Sequence, residues 1–186
     1  GATGSGKSVF LKCLITFLIS QKTPSELKIM IIDGKEVSST LFVKTPHLME
    51  PIVSDVTKVT ELLDKAIAIV EERKKIFSRH GVESILELNK KVSKTERLPF
   101  VVLLMDETAK MFTHKKWGKE ITSKINLLAS EARFAGLYMI IAMQRPDAKI
   151  IAGEIKANFL GRITFSLPSH RDSQVILDEI GRASCR

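Results

Sequence analysis

Apolar positions along the chain alternate between stretches with helical spacing and short continuous runs. Residues 8–20 are apolar on most faces, and a helical stripe runs from Val56 to a stop at His80-Gly81. Residues 27–32 and 98–105 are nearly continuous apolar runs of strand length. The pattern predicts helices over residues 8–20, 56–80, 82–88, 119–134, 150–157 and 172–178, and strands over residues 27–32, 98–105, 137–143 and 162–167.

Strands separated by helix-length segments indicate an α/β fold with a mostly parallel sheet and helices on both faces. Two segments interrupt this alternation. Residues 34–55 carry Pro46 and Pro51 and are expected to form a loop with short pieces of structure. Residues 89–97 hold four basic side chains and are expected to be a solvated linker.

Composition and charge limit the classes of protein to which the chain can belong. With 186 residues, 44% hydrophobic and 27% charged, the chain has the size and core of one globular domain. Gly (10), Pro (6) and Cys (2) are too few for a collagen-like chain or a disulfide scaffold, and the cysteines suggest a reducing compartment. No apolar stretch has the roughly 20 residues of a spanning helix. The net charge of +8 favours polyanionic partners such as nucleic acid, nucleotides or an acidic membrane surface.

Residues 1–8 read GATGSGKS and match the full spacing of a phosphate-binding loop. Its glycines let backbone N–H groups converge on phosphate oxygens at a helix N-terminus. We expect Lys7 to reach the β- and γ-phosphates of ATP and Ser8 to offer its hydroxyl to Mg²⁺. The alternative is a glycine-rich turn that happens to end in Lys-Ser. The predicted ATP-binding residues are Gly1, Thr3, Gly4, Ser5, Gly6, Lys7 and Ser8.

Two adjacent carboxylates, Asp106 and Glu107, follow the apolar run at residues 100–105, which is the form of a Walker B strand. We expect Asp106 to hold Mg²⁺ and Glu107 to orient or deprotonate the attacking water. The alternative is two ordinary acids at a strand end. The second carboxylate favours hydrolysis over simple nucleotide binding.

Polar residues elsewhere are weaker candidates. Gln144 follows the predicted strand at 137–143 and is expected to sense the γ-phosphate, the alternative being a surface polar residue. Arg133, Arg145 and Arg162 are each candidates for a finger that reaches a neighbouring subunit's nucleotide, although each is as readily a structural arginine. Lysine pairs at residues 74–75, 90–91 and 115–116 are candidates for contact with DNA phosphates or simply solvated faces. The four histidines show no metal-ligand spacing.

The two ends of the sequence also shape the expected domain. The chain opens on the first glycine of the phosphate loop, without the strand that ordinarily precedes that motif, so we interpret it as a piece of a longer protein. Residues 180–186 match one reading frame of a sequencing adapter, so we expect an artefactual tail, the alternative being a natural basic tail. Residues 1–179 are then expected to form one P-loop ATPase domain.

Together these motifs resemble the motor domain of the FtsK/SpoIIIE DNA translocase family, including its relatives in conjugative elements. The resemblance extends over nearly the whole chain up to Asp178. Beyond the phosphate loop and the Asp106-Glu107 pair, it rests on Ile32-Asp33-x-Lys35, Pro46-His47-Leu48, Ala132-Arg133-x-Ala135-Gly136, Gln144-Arg145-Pro146, residues 155–159, Arg162-Ile163, Asp172-Ser173 and Ile176-Leu177-Asp178.

The resemblance implies a RecA-like P-loop NTPase that forms a hexameric ring around double-stranded DNA and pumps it with ATP and Mg²⁺. Lys7, Glu107 and Gln144 would be catalytic, with Ser8 and Asp106 at the metal. A cytoplasmic bacterial domain is implied, in a parent protein anchored at the inner face of the cell membrane. Gly34, Thr108 and Lys110 depart from the family's usual residues and favour a mobile-element or conjugation protein over a cell-division one.

Two other functions fit the same motifs. Type VII secretion motors carry similar ATPase domains and move polypeptide, so a secretion ATPase is the main alternative. A degenerate copy that binds nucleotide without hydrolysing it is a further alternative, against which the intact Lys7, Asp106 and Glu107 argue.

Overall fold

The computed structural model describes residues 4–34, 39–144, 157–159 and 161–167. Its elements follow one another in the expected alternation of helix and strand. They are, in chain order, α1 (Lys7–Gln21), β1 (Leu27–Asp33), α2 (Val56–His80), α3 (Ile85–Lys91), β2 (Phe100–Asp106), α4 (Ala109–Phe112), α5 (Gly118–Glu131) and β3 (Leu137–Ala142), with short 3₁₀ turns at Thr40–Phe42 and Lys94–Glu96.

The three strands form one parallel sheet in the order β1-β2-β3. The register pairs Asp33 with Asp106 and Asp106 with Ala142, so the carboxyl ends of all three strands lie at one edge of the sheet. Every residue of β1 and β2 except Lys28 and Phe100 is buried, as the continuous apolar runs predicted. This edge is where ligands bind in open α/β sheets.

Helices cover both faces of the sheet, which confirms the predicted α/β class. On one face, Leu11 and Ile15 of α1 belong to a buried cluster with alternate side chains of the strands, Ile29, Ile31 and Leu104 among them. The other face carries the larger cluster, in which α2, α3 and α5 pack on the remaining strand residues. Because successive strand side chains point to opposite faces, a continuous apolar run supplies both clusters at once.

Most predicted elements are confirmed to within a few residues, and two segments differ. Residues 162–167 join no strand ladder in the described structure, and Phe165 instead packs its ring 5.5 Å from that of Phe10 on α1. The predicted linker at 89–97 is partly ordered, because α3 continues to Lys91 and a Ser93–Glu96 capping box closes the following turn. The predicted helix at 172–178 and all but Ala157 of that at 150–157 lie outside the described residues.

Both ends of α2 are capped by the residue types expected there. Asp55 accepts hydrogen bonds from the backbone N–H groups of Thr57 (2.8 Å) and Lys58 (3.4 Å). At the other end Gly81 adopts φ 61° and donates to the carbonyl groups of Phe77 and Ser78, which confirms the predicted stop of the helix.

None of the helices that the structure describes combines the length and the apolar character that a membrane-spanning helix requires.

Replacement of Asp55 with alanine is expected to lower the melting temperature of the domain by a few degrees. The hydrogen bonds from Thr57 and Lys58 lower the pKa of Asp55 below its ordinary 3.8. The carboxylate therefore stabilises the fold above about pH 4, and this contribution disappears as the pH falls through the lowered pKa. Thermal unfolding at pH 7 and pH 3 measures the effect. An equal difference between wild type and variant at both pH values would contradict the charged cap.

Candidate active site

The predicted catalytic acids lie at the carboxyl edge of the sheet, facing the start of α1. Asp106 is the last residue of β2 and is only 4% exposed, and Glu107 follows it directly. Asp33, the last residue of β1, is paired with Asp106 in register and is fully buried. The parallel sheet thus places three carboxylates beside one helix N-terminus.

The phosphate loop bends through its glycines into α1. Gly4 and Gly6 have φ values of 79° and 94°, a left-handed backbone that other residues rarely adopt. Gly6 is the N-cap of α1, whose first turn holds no acidic side chain. The first N–H groups of a helix and its dipole favour an anion at such a terminus. Of the predicted binding residues, Gly1 and Thr3 lie outside the described residues.

Lys7 connects the loop to the acid pair. Its ammonium group lies 2.7 Å from Asp106 Oδ1 and 3.3 Å from Glu107 Oε2, and the residue is only 8% exposed. A half-buried or buried ion pair needs close geometry to offset desolvation, and Lys7 meets two carboxylates at once. The structure therefore brings Lys7 to two acids that lie 99 and 100 positions away in sequence and were predicted to share one site with it.

Glu107 is held in a backbone conformation that the sequence did not predict. It has φ 57°, the one non-glycine with positive φ among the described residues. Its N–H donates to the Ala142 carbonyl (3.1 Å), and the Gly34 N–H donates to the Asp106 carbonyl (3.1 Å). A Cβ on Gly34 would lie 2.7 Å from the Glu107 carbonyl oxygen. Both neighbouring strands thus fix Glu107, and proline at position 34 could not donate this hydrogen bond.

Two further groups near the site, Asp33 and Thr108, were not predicted as site residues from the sequence. Asp33 Oδ2 accepts the Ser39 N–H at 3.0 Å, so Asp33 anchors the chain beyond the β1 turn. Its signal was an acid directly after a buried apolar run, as at Asp106. Thr108 is fully buried and its hydroxyl has no hydrogen-bond partner in the described structure. Ser5 in the phosphate loop has an enclosed hydroxyl that is likewise without a partner there.

The remaining candidates lie at different places. Gln144 is half-buried and follows β3 by two residues, at the same edge as Asp106. Ser8 is exposed on the first turn of α1. Arg133 is exposed and precedes β3, at the opposite edge of the sheet, and half-buried Arg162 donates to the Phe159 carbonyl (3.1 Å). Arg145 lies outside the described residues.

The sequence profile of the FtsK/SpoIIIE family matches residues 1–148. The chain is 39% identical to the DNA translocase FtsK of Lactococcus lactis subsp. cremoris over 189 aligned positions, which cover 97% of the chain and 25% of that protein. It therefore spans about a quarter of the length of this relative.

Solved structures show the same fold. The monomer form of the pCW3 conjugation coupling protein TcpA with ATPγS is 28% identical with a TM-score of 0.81, covering 97% of this chain and 51% of that one. ATPases 2 and 3 of EssC from Geobacillus thermodenitrificans are 19% identical with a TM-score of 0.85, covering 96% of this chain and 33% of that one, a likeness of fold alone. Both the sequence family and the P-loop ATPase fold agree with the resemblance that the motifs indicated, and the chain belongs to the FtsK/SpoIIIE family.

Proposed function

We propose that this chain is the motor domain of an ATP-hydrolysing translocase that moves double-stranded DNA, in chromosome segregation or conjugative transfer. The observation that carries the proposal is the contact of Lys7 with both Asp106 and Glu107 at the carboxyl edge of a parallel sheet. The names of the relatives, a DNA translocase and a conjugation coupling protein, supply DNA as the substrate.

The phosphate loop fits ATP. Its left-handed glycines shape a cradle of backbone N–H groups, and the enclosed Ser5 hydroxyl has no partner in the described structure and is a donor that a phosphate oxygen would satisfy. We assign phosphate binding to Gly1, Thr3, Gly4, Ser5, Gly6 and Lys7. Lys7 would exchange one or both carboxylates for phosphate oxygens when ATP binds, because the γ-phosphate carries the greater charge.

The donors at the metal position fit Mg²⁺. The Ser8 hydroxyl and the Asp106 carboxylate are hard oxygen ligands, the kind that Mg²⁺ prefers together with water and phosphate oxygens. Bound Mg²⁺ would neutralise charge on the β- and γ-phosphates. Asp106 is almost completely buried at the strand end, so its position is set by the sheet.

Glu107 is assigned as the base that accepts a proton from the attacking water. The bond from Lys7 holds its carboxylate at the site, and the two flanking strands fix its backbone. Release of Lys7 towards phosphate would leave the Glu107 carboxylate available to the water. Gln144, which follows the neighbouring strand, would form a hydrogen bond to the γ-phosphate or to the attacking water. Loss of the γ-phosphate after hydrolysis would break this interaction and so couple the state of the nucleotide to movement.

The assembly belongs to the same proposal. We infer a homo-hexameric ring around the duplex, in a bacterial parent protein anchored at the inner face of the cell membrane, with this domain in the cytoplasm. Arg133 is exposed at the edge of the sheet opposite Lys7, so it could reach nucleotide only on a neighbouring subunit. A secretion ATPase is the less supported alternative, because the EssC likeness is one of fold at 19% identity.

Displacement of a third strand from a DNA triplex tests the proposed motion. The full-length protein is mixed with a duplex that carries a fluorescent triplex-forming strand, and ATP is added. Release of the strand with ATP, and none with a non-hydrolysable analogue, supports translocation. ATP turnover without any strand release, in a preparation that binds the duplex, would contradict it.

A methyl group at position 34 is expected to disturb Glu107. Gly34→Ala places a Cβ 2.7 Å from the Glu107 carbonyl oxygen, so the backbone must move. A displacement of about 1 Å at a catalytic group lowers rates by roughly 100-fold, so we expect kcat for ATP to fall 10- to 100-fold with the Kd for ATP nearly unchanged.

Gly81→Ala is the matched control for that variant. It strains a left-handed glycine at the end of α2, where a Cβ meets nothing within 4 Å. This control is expected to lower stability and leave kcat intact. Equal kcat values for Gly34→Ala and wild type would show that the close approach of Gly34 does not position Glu107.

A further inference from the structure

A cluster of unneutralised positive charge lies on the connection that follows the acid pair. Residues 110–119, which we term the arch, contain Lys110, Lys115, Lys116 and Lys119 together with His114, and no Asp or Glu. All five side chains are exposed. The arch therefore concentrates about half of the chain's formal net charge of +8 in ten residues.

Two lysines that lie on helix faces in the described structure are each neutralised by a pair of acids. Lys74 is paired with Glu71 and Glu131, and Lys124 with Asp64 and Glu120, at distances of 2.5 to 2.8 Å. By contrast, none of the arch lysines forms an ion pair with any described residue. Clustered cations without acids nearby raise the local potential and attract a polyanion.

The arch has a closed and well-anchored base. A Cβ on Gly118 would lie 2.2 Å from the Phe112 carbonyl oxygen, so the backbone on the two sides of the tip approaches more closely than any residue but glycine permits. Met111 is 3% exposed in the core, and the Gly118 N–H donates to the His114 carbonyl (2.8 Å). The tip, residues 113–116, projects from this base, so its charges are presented on an ordered element.

The arch is also joined directly to the catalytic strand. Thr108 follows Glu107 and is fully buried, and its carbonyl accepts the N–H groups of Met111 (2.9 Å) and Phe112 (3.3 Å). Only this one turn of helix, α4, lies between Thr108 and the tip of the arch. A ligand bound at the tip would therefore act close to the residue proposed to activate water.

The geometry points to the arch as a surface that binds the phosphate backbone of duplex DNA, with Lys115 and Lys116 as its principal contacts. This inference rests on the proposed function, since duplex DNA is the polyanion that such a motor meets. An acidic membrane is the other polyanion to consider. Membrane-surface elements pair basic residues with exposed apolar ones, whereas the tip is polar and Trp117 is half-buried with the Lys116 ammonium 4.5 Å from its ring centroid.

The test compares two double variants of the full-length protein with the same change of charge. Lys115→Gln with Lys116→Gln alters the arch, and Lys90→Gln with Lys94→Gln alters exposed lysines beside the opposite edge of the sheet, where Glu87 and Glu96 are interspersed. Binding to a fluorescent duplex is measured across a range of salt concentrations. Each lost phosphate contact reduces the slope of log K against log salt by about 0.9.

For the arch variant we expect the slope of log K against log salt to be shallower by about 2 and binding to the duplex to be roughly tenfold weaker. The control variant should keep the wild-type slope and affinity. ATP turnover without DNA should be the same in all three proteins. Equal slopes in all three would overturn the inference while leaving the proposed function in place. Unaltered DNA binding together with lost binding to anionic vesicles would assign the arch to a membrane instead. Failure of the wild-type protein to bind duplex DNA at all would contradict the proposed function itself.

Discussion

Exchange of Glu107 for glutamine is expected to reduce ATP turnover by roughly 10²- to 10⁴-fold, the contribution of a positioned general base. Glutamine has nearly the same shape, and its amide oxygen can still accept the hydrogen bond that Lys7 donates to Glu107. It cannot accept a proton from water. ATP should therefore bind with nearly the affinity of wild type while hydrolysis stops.

Steady-state turnover and equilibrium binding of a fluorescent ATP analogue together measure this split. Glu131→Gln makes the same chemical change at a partly exposed carboxylate paired with Lys74, away from the site, and should leave both quantities unchanged. A Glu107→Gln variant that keeps more than a tenth of wild-type turnover would place the base elsewhere.

Loss of Arg73, which lies outside the site, is expected to destabilise the domain strongly. It lies on α2, is 6% exposed, and donates to the carbonyl groups of Ala135 and Pro99, both at 2.6 Å. Ala135 lies two residues before β3 and Pro99 one residue before β2, so one guanidinium ties the start of both strands to α2. Burial lowers the pKa of Arg73 to about 10, which leaves it charged at neutral pH.

Arg73→Met removes the donors and keeps much of the side-chain volume. The substitution leaves two carbonyl groups without their charged donor, which is expected to lower the free energy of unfolding by about 2–4 kcal/mol. Chemical denaturation of the domain measures this loss. Lys75→Met is the matched control, because Lys75 is exposed on the same helix and should change stability by less than about 0.5 kcal/mol. Similar values for the two variants would contradict the role of Arg73.

The strands and the acid pair could be predicted because their signals are local. A continuous apolar run ending in Asp106-Glu107 is compatible with few structures other than a buried parallel strand with acids at its carboxyl end. The signal for the phosphate loop is equally local, because eight consecutive residues and the helix after them define the motif. Parallel topology then brings Lys7 to the acids without any further information.

Other features depend on contacts that sequence spacing does not specify. The left-handed backbone of Glu107 arises from hydrogen bonds on both sides of β2, involving Gly34 and Ala142, which are distant in sequence. Arg73 falls on the buried stripe between Val70 and Phe77, but a charged residue is ordinarily expected to face water. Residues 162–167 have the alternating pattern of a strand but form no ladder with the described strands, and Phe165 packs against Phe10 of α1 instead.

ATP turnover by the full-length protein, with and without duplex DNA and in the presence of Mg²⁺, tests the central claim most directly. The proposed motor predicts that DNA strongly stimulates wild-type turnover and that the Glu107→Gln variant shows neither basal nor stimulated hydrolysis. Wild-type turnover that is the same with and without DNA, or DNA stimulation that persists in the variant, would contradict a DNA-driven motor in which Glu107 activates water.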